Sequence, residues 1–322
     1  MIASWQQLRR LGLLGINRRN ASYTLRHNPR HLYPRVDDKL QTKELCRRAD
    51  IPTPALLSVA HSIGDLGRMM KELSTLSSFV LKPARGAMGN GIIVVSARDG
   101  SRLRKPGGSW LTEEAFRHHA SGILSGLYAL GGQPDVAVVE ERLSVHPELA
   151  EICHEGVPDY RVIVFLGVPI MAMARLPTRS SGGRANLHHG AVGIGIDLSS
   201  GRSTHAVIGT EPTKIHPDTG VPVVGRAMPG FDRALEIAVA ATDLTGLGYV
   251  GADVVVDADR GPMILELNAR PGLAIQIANR AGLEPRLRQI ERVRHAARLP
   301  FDDRLRLGRR MSSRLEEQHD DH

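Results

Sequence analysis

The chain has 322 residues, of which 42% are hydrophobic, 24% charged and 4% aromatic, with 33 glycines, 19 prolines and a formal net charge of +8. That length accommodates one large domain or two smaller ones, and the composition excludes a disordered chain, a coiled coil and a collagen-like repeat. With no run of about 18 apolar residues, no membrane span is expected, and so few aromatics disfavour a nucleic-acid partner.

Residues 1–36 read as a basic lead-in with little periodicity. Residues 1–50 hold 11 Lys and Arg against 4 Asp and Glu, so most of the basic surplus lies there. Such a surplus suits an acidic partner or a solvated arginine-rich face. The start lacks the apolar core and cleavage site of a signal peptide, and two cysteines, Cys46 and Cys153, cannot staple a chain this size. A cytoplasmic location is therefore expected. Asp37 or Asp38 caps a helix to about Ala49, stopped by Ile51-Pro52-Thr53-Pro54. A second helix runs from Ser62 to about Leu73. Short strands follow at Ser78–Pro83 and Gly91–Ser96, joined by a glycine-rich loop over residues 84–91. Residues 112–126 pattern as a helix and 136–141 as a strand. Further strands are expected at 159–166, 169–176 and 191–197, then a helix over 232–246. The apolar runs Tyr249–Asp257 and Met263–Asn268 pair through the turn 258–261. Residues 272–281 pattern as helical, and the arginine-rich tail beyond Gly282 opens as an amphipathic helix.

Ile264-Leu265-Glu266-Leu267-Asn268 carries the strongest local signal. Residues two apart on a strand face the same way, so Glu266 and Asn268 point together while Leu265 and Leu267 face the core. Asp253 lies inside the apolar run on the partner strand, where an anion is costly unless paired or bound to a cation. Three oxygen ligands on adjacent strands suit Mg²⁺, which takes phosphate oxygens for the rest. The loop Ala84-Arg85-Gly86-Ala87-Met88-Gly89-Asn90-Gly91 does not match a Walker or a Rossmann pattern. A strand–loop–strand flap with backbone N–H donors for phosphate fits better. Only six lysines accompany 36 arginines. A lysine that persists in such a background, above all Lys82 in an apolar strand, is a candidate for a compact phosphate-facing cation.

Taken in order, Asp38-Lys39, Val80-Leu81-Lys82-Pro83 with the glycine loop, Val139-Glu140-Glu141-Arg142-Leu143, Asp159-Tyr160-Arg161, Arg184-Ala185-Asn186-Leu187-His188, Asp253 and Glu266-Leu267-Asn268-Ala269-Arg270-Pro271-Gly272 resemble an ATP-grasp carboxylate–amine ligase. Within that superfamily the series is most similar to the RimK-like α-L-glutamate ligases and the α-L-glutamate ligase-related proteins, over about residues 17–283. The resemblance implies an α+β ATP-grasp fold, two α+β subdomains clasping ATP. The first would cover about residues 37–140 with the flap, and the second 141–283 with the metal site. They would be flanked by the basic segment 1–36 and an arginine-rich helix and tail over 284–322. The Rossmann-like domain that precedes the Asp-Lys motif in such ligases is expected to be absent or vestigial.

The resemblance also implies roles. Lys39 and Lys82 would contact ATP phosphates under a flap containing Gly86, Gly89 and Gly91. Glu140, Glu141, Arg142 and Leu143 would form the hinge that reads the adenine edge. Asp159, or alternatively Glu148, would hold the ribose. Arg184 and Asn186 would approach the γ-phosphate. Asp253, Glu266 and Asn268 would bind one or two Mg²⁺ ions, with Mn²⁺ able to substitute. Arg161, Arg175 and Arg270 are candidate forks for a substrate carboxylate. The expected reaction is ATP- and Mg²⁺-dependent amide formation through an acyl phosphate, joining an amino acid such as glutamate to a peptide, protein or small-molecule amine. Kinase chemistry on a hydroxyl and a non-catalytic ATP-binding module are the alternatives. A homo-oligomer is compatible with the sequence. The long segment 207–231 and the basic lead-in are the places expected to touch the acceptor.

Overall fold

The computed structural model describes residues 11–86, 89–129 and 132–320, with side chains through Ser312. The chain divides into two units. The smaller comprises Asp37–Leu40 and Thr53–Ser144, and the larger takes the chain up to Val36, Gln41–Pro52 and the chain from Val145 onward. The partition falls inside helix α1 (Lys39–Arg48), so most of that helix and its buried Cys46 belong to the larger unit and not to the first subdomain expected from sequence.

In the smaller unit the strands are β1 (Leu56–Ala60), β2 (Phe79–Pro83), β3 (Ile93–Val95), β4 (Ala97–Asp99), β5 (Arg102–Arg104), β6 (Trp110–Thr112) and β7 (Ala137–Glu140). An antiparallel sheet orders them β1-β7-β2-β3, and β4-β5-β6 form a separate small meander. The meander has no counterpart in the sequence reading, because three-residue strands are too short to show alternation. Helix α2 (Leu66–Leu73) buries Leu66, Met69 and Leu73, and α3 (Glu113–Leu124) buries Phe116, Ala120 and Ile123. Spacings of three and four place each set on one helical face, and both faces close over Phe79, Leu81 and Val139 of the sheet. Thr112 caps α3 by accepting from the Ala115 amide at 3.1 Å.

The larger unit is built on seven antiparallel strands: β8 (Asp159–Phe165), β9 (Val168–Leu176), β10 (Val192–Ile196), β11 (Ser203–Ile208), β12 (Glu211–Thr213), β13 (Tyr249–Asp257) and β14 (Gly261–Asn268). Their order is β12-β11-β10-β9-β8-β13-β14. β8 is buried along its whole length, and beyond Arg161 it is wholly apolar. Its residues alternate between two cores: Tyr160, Val162 and Val164 join the cluster formed with helix α4 (Phe231–Thr245), whereas Ile163 and Phe165 join the opposite one. Helix α5 (Glu284–Glu291) adds Leu287 and Ile290 to that second core, and helix α6 (Phe301–Asp320) adds Met311. Of the helix expected over 272–281, only Ile275–Ala278 forms. Within 207–231, β12 completes a hairpin with β11, and a turn beyond it is pinned by fully buried His216, whose ring nitrogen lies 3.0 Å from the Pro177 carbonyl.

The lead-in is more ordered than its composition suggests. Ile16–His27 is a short helical run with a π-helical turn over Arg19–Thr24. Tyr23 is buried edge-on to Phe165, 5.6 Å between ring centroids. Among the described residues no helix is long and apolar enough to cross a membrane.

The loop between β9 and β10 is held by close backbone approach. Gly156 has φ +73°, and a Cβ there would stand 2.0 Å from the Gly183 carbonyl oxygen. Gly156→Ala is therefore expected to lose about 1–3 kcal/mol of stability through strained backbone and a displaced loop. Thermal unfolding followed by circular dichroism checks this, and an unchanged midpoint would show that the loop yields freely.

Candidate active site

Antiparallel register turns alternation along four strands into one row of charges. Arg175 on β9 faces Asp159 on β8, Arg161 on β8 faces Asp253 on β13, and Asp253 faces Glu266 on β14. Cross-strand partners share a sheet face, so these five side chains and the i+2 neighbour Asn268 stand together. A β-bulge intervenes: Asp253 pairs with Glu266 but Val254 pairs with Ile264, which leaves Leu265 as the extra residue. Leu265 is half-buried, not turned fully into the core as strict alternation required, and the bulge re-aims Glu266 and Asn268.

The row is bound internally. Arg161 donates Nε to Asp253 Oδ1, and its Nη2 donates to Oδ2 at 2.6 Å. Arg175 donates Nε and Nη2 to the two oxygens of Asp159, both at 2.6 Å, and Nη2 also donates to Asp253 Oδ2 at 2.7 Å. Asp253 is 1% exposed. Burial alone would raise its carboxyl, but the Arg161 and Arg175 guanidiniums outweigh that and hold it well below the usual carboxylate range. Burial pushes Asp159 up to about 6, against the pull of Arg175 and with Asp253 adding repulsion.

The residues expected from sequence to form the site are placed as follows. Asp253, expected with Glu266 and Asn268 to hold Mg²⁺, accepts from both Arg161 and Arg175 through its two oxygens. Among the described residues no three His, Cys, Asp or Glu side chains are grouped to hold a metal. Glu266 and Asn268 are half-buried oxygen donors on one strand face, with Asn268 Nδ2 donating to Glu266 Oε1 at 3.3 Å. Two such donors fit a Mg²⁺ ion that shares phosphate oxygens and water. Asp159, expected at the ribose, accepts from Arg175, while the alternative, Glu148, is exposed on the helical turn Pro147–Glu151. Arg161 and Arg175 hold carboxylates of the protein itself, whereas Arg270, beyond Asn268, is exposed. Arg184 is exposed on the β9–β10 loop, and Asn186 caps the turn Leu187–His189 by accepting from the His188 amide at 3.0 Å.

In the smaller unit, Lys82 Nζ lies 2.5 Å from Glu140 Oε2, with both side chains buried. Sequence reasoning treated Lys82 and Glu140 separately, although each is a charge planted in an apolar strand and register sets Lys82 beside Val138 on the strand that ends at Glu140. Lys39 Nζ donates to the Gly86 carbonyl at 2.9 Å. Glu141 accepts from the Ala55 amide at 2.7 Å, Leu143 is buried and Arg142 exposed. At the far end of the glycine loop, the His119 ring contacts the Gly91 carbonyl at 2.9 Å and the Tyr128 hydroxyl at 3.1 Å. A Cβ at Gly91 would meet the Tyr128 ring at 2.6 Å, so glycine is required there. Gly89 also has positive φ, +74°. Ala87 and Met88 lie outside the described residues.

The larger unit thus carries arginine-bound carboxylates beside an oxygen-donor strand end, and the smaller unit, by itself, a buried strand lysine ahead of a glycine loop. The model of the sugar-transfer associated ATP-grasp family matches residues 18–292, and the chain belongs to that family. It is similar to a probable alpha-L-glutamate ligase of Enterobacter sp. (strain 638), 24% identical over 240 residues, covering 74% of this chain and 57% of that one. It is also similar to a ribosomal protein bS6–L-glutamate ligase of Salmonella paratyphi B, 26% identical over 83% of this chain and 64% of the other. The chain thus spans less than two thirds of the length of either relative. Among solved structures, the ATP-grasp ligase PsnB complexed with a minimal precursor aligns with a TM-score of 0.42 and 17% identity over 81% of this chain and 60% of that one.

The charge row predicts its own fragility. Arg175→Met strips Asp159 of its partner and Asp253 of one of two, and should cost about 3–5 kcal/mol. Adding Asp159→Asn should recover part of that loss, because the uncompensated buried charge is then gone. Urea unfolding of the single and double variants gives the coupling directly, and strict additivity would count against the network.

Proposed function

We propose that the protein is an ATP-dependent carboxylate–amine ligase. The reading is supported by family membership over residues 18–292, and the observation that carries it is the pairing of Glu266 and Asn268 at a strand end beside the arginine-bound Asp253. A carboxylate is a poor acyl donor because its oxygen does not leave. Transfer of the γ-phosphoryl group of ATP to that oxygen gives an acyl phosphate, and an amine then attacks the carbonyl carbon. The C–O bond breaks, phosphate departs with the electron pair, the amine loses its proton and an amide remains.

Lys82 and Lys39 would meet the phosphates, with the glycine loop supplying backbone N–H donors. Glu266 and Asn268 would hold Mg²⁺, whose charge offsets that of the phosphates. Arg161 and Arg175 fix Asp253 at the base of this ligand pair, so their part is to orient it. Glu148 would take the ribose, and Arg184 with Asn186 the γ-phosphate end. An amino acid such as glutamate is the proposed acid and a peptide, protein or small-molecule amine the proposed acceptor, in keeping with the names of the relatives.

The deciding experiment measures ADP release from MgATP across a panel of amino acids and amines, with mass analysis of products. Amine-dependent ADP release with an amide product supports the ligase. A phosphorylated product without amine dependence would favour a kinase, and tight nucleotide binding without turnover a binding module. Glu266→Gln should abolish turnover while keeping the wild-type melting temperature, because shape is retained and only charge is lost. Activity at the wild-type level in that variant would remove Glu266 from the cation site. MgATP should raise the melting temperature and slow proteolysis between Gly86 and Gly91, since a ligand that binds only the folded state stabilises it by mass action.

A further inference from the structure

The β9–β10 loop, residues 177–191, carries Arg184 and Asn186 and is closed at its root. Thr178 Oγ1 donates to the Gly190 carbonyl at 2.9 Å, across the mouth of the loop. Inside the mouth, the Thr178 amide donates to Ser181 Oγ and the Ser181 amide to Thr178 Oγ1, both at 3.0 Å, and both residues are buried. The Arg184 amide donates to the Ser181 carbonyl at 3.3 Å, and the Asn186 amide to the Arg184 carbonyl at 2.9 Å. Local bonds therefore run from Thr178 to Asn186, and a displacement of the root is passed along them.

The root is gripped from outside by the turn beyond β12. His216 Nε2 donates to the Pro177 carbonyl at 3.0 Å, and the Arg179 amide donates to Asp218 Oδ2 at 2.7 Å. The turn thus holds the peptide groups on either side of Thr178. It is tied to itself as well: the His216 amide donates to the Val221 carbonyl and the Gly220 amide to the His216 carbonyl, both at 2.9 Å. His216 is wholly buried, whereas Asp218 is exposed.

These partners fix the state of the imidazole. A carbonyl only accepts, so Nε2 carries the proton, and the Asp218 amide, which donates to Nδ1 at 3.3 Å, requires that nitrogen to be bare. Burial lowers the pKa of His216 and outweighs the Pro177 hydrogen bond and Asp218, which favour the imidazolium. His154, whose amide also donates to the Pro177 carbonyl, acts in the same direction as burial. A second proton would set a ring N–H against the Asp218 N–H, so the charged ring fits only once the turn has let go.

We propose that His216 and Asp218 are positioning residues: their turn clamps the root of the β9–β10 loop to present Arg184 and Asn186, and protonation of His216 releases it. What the loop does in the reaction rests on the ligase reading, but whether the clamp holds it does not. Part of the segment 207–231, singled out from sequence for its length, thereby gains a role that needs no contact with substrate.

Hydrogen exchange of the full chain, read by mass spectrometry over residues 177–190 and corrected for intrinsic rates, reports the clamp alone. The released imidazole, with a pKa of about 6.5, takes a proton that the held one refuses, so the clamp loosens as pH falls. Between pH 7.5 and pH 5.5 opening should rise several-fold, with a ceiling of about ten-fold. His216→Gln, whose Nε2 can still donate to Pro177 but does not titrate, should exchange alike at both pH values. At pH 7.5, Asp218→Ala should speed exchange about five-fold, and Asp218→Asn, which keeps an oxygen for the Arg179 amide, should stay within two-fold of wild type. In ADP release, kcat should fall about five-fold in Asp218→Ala, with a smaller change in KM for MgATP, and recover in Asp218→Asn. Exchange unchanged in Asp218→Ala overturns the clamp even where His216→Gln does not fold. Wild-type exchange indifferent to pH, or a pH dependence retained in His216→Gln, overturns the release. Faster exchange in Asp218→Ala with full turnover overturns the positioning of Arg184 and Asn186. A wild type that releases no ADP with any amine removes the ligase reading, while exchange still decides the clamp.

Discussion

Everything at the centre of the larger unit follows from placing Asp253 in a strand buried on both faces. An isolated carboxylate there is untenable, and two guanidiniums from neighbouring strands meet it. Arg175 in turn brings Asp159, so one buried anion commits four residues on three strands to mutual register. A slip of one residue in β8, β9 or β13 would turn the row into the opposite core, where α4 packs. The ion network thus specifies pairing as much as it contributes stability. It also sets Asp253 opposite Glu266 on the edge strand β14, two residues before Asn268.

Much of this was legible from residue pattern. Largely apolar runs gave β8, β9, β13 and β14 to within about two residues, their few charges standing out against the background. The spacing of Glu266 and Asn268 and the anomaly of Asp253 were visible for the same reason. What the pattern could not give was the partner of each buried charge. Asp253 reads equally as a cation ligand or as half of an ion pair, and the choice depends on Arg161 and Arg175, some 92 and 78 residues away in sequence. Lys82 and Glu140 repeat the lesson within the smaller unit. The bulge at Leu265 was also hidden, since only the pairing with the partner strand reveals the extra residue.

The lead-in was the least legible part. Arg19 and Asn28 show no shared periodicity, because they lie on a helical run broken by a π turn and just after it, and they donate to carbonyls, those of Pro271 and Ala269, that any residue could supply. Their arginine-rich setting suggested a surface for a partner. Arg19 is instead buried and its neighbour Tyr23 joins an aromatic cluster with Phe165 and Tyr249. Charge composition counts residues and is blind to which of them are covered.

The order of the chain has a cost during synthesis. The core of the smaller unit draws only on residues 60–139, so all its contacts are available as soon as that stretch has left the ribosome. The larger unit has no such economy: Arg19 finds the Pro271 carbonyl 252 residues later. At roughly 5–20 residues per second, that separation is about 13–50 s of translation. Through that interval Tyr23 lacks the aromatic ring of Tyr249 and the π turn lacks its acceptors. The amino-terminal segment therefore has to wait for partners made last, whereas the residues of the smaller core come off the ribosome together.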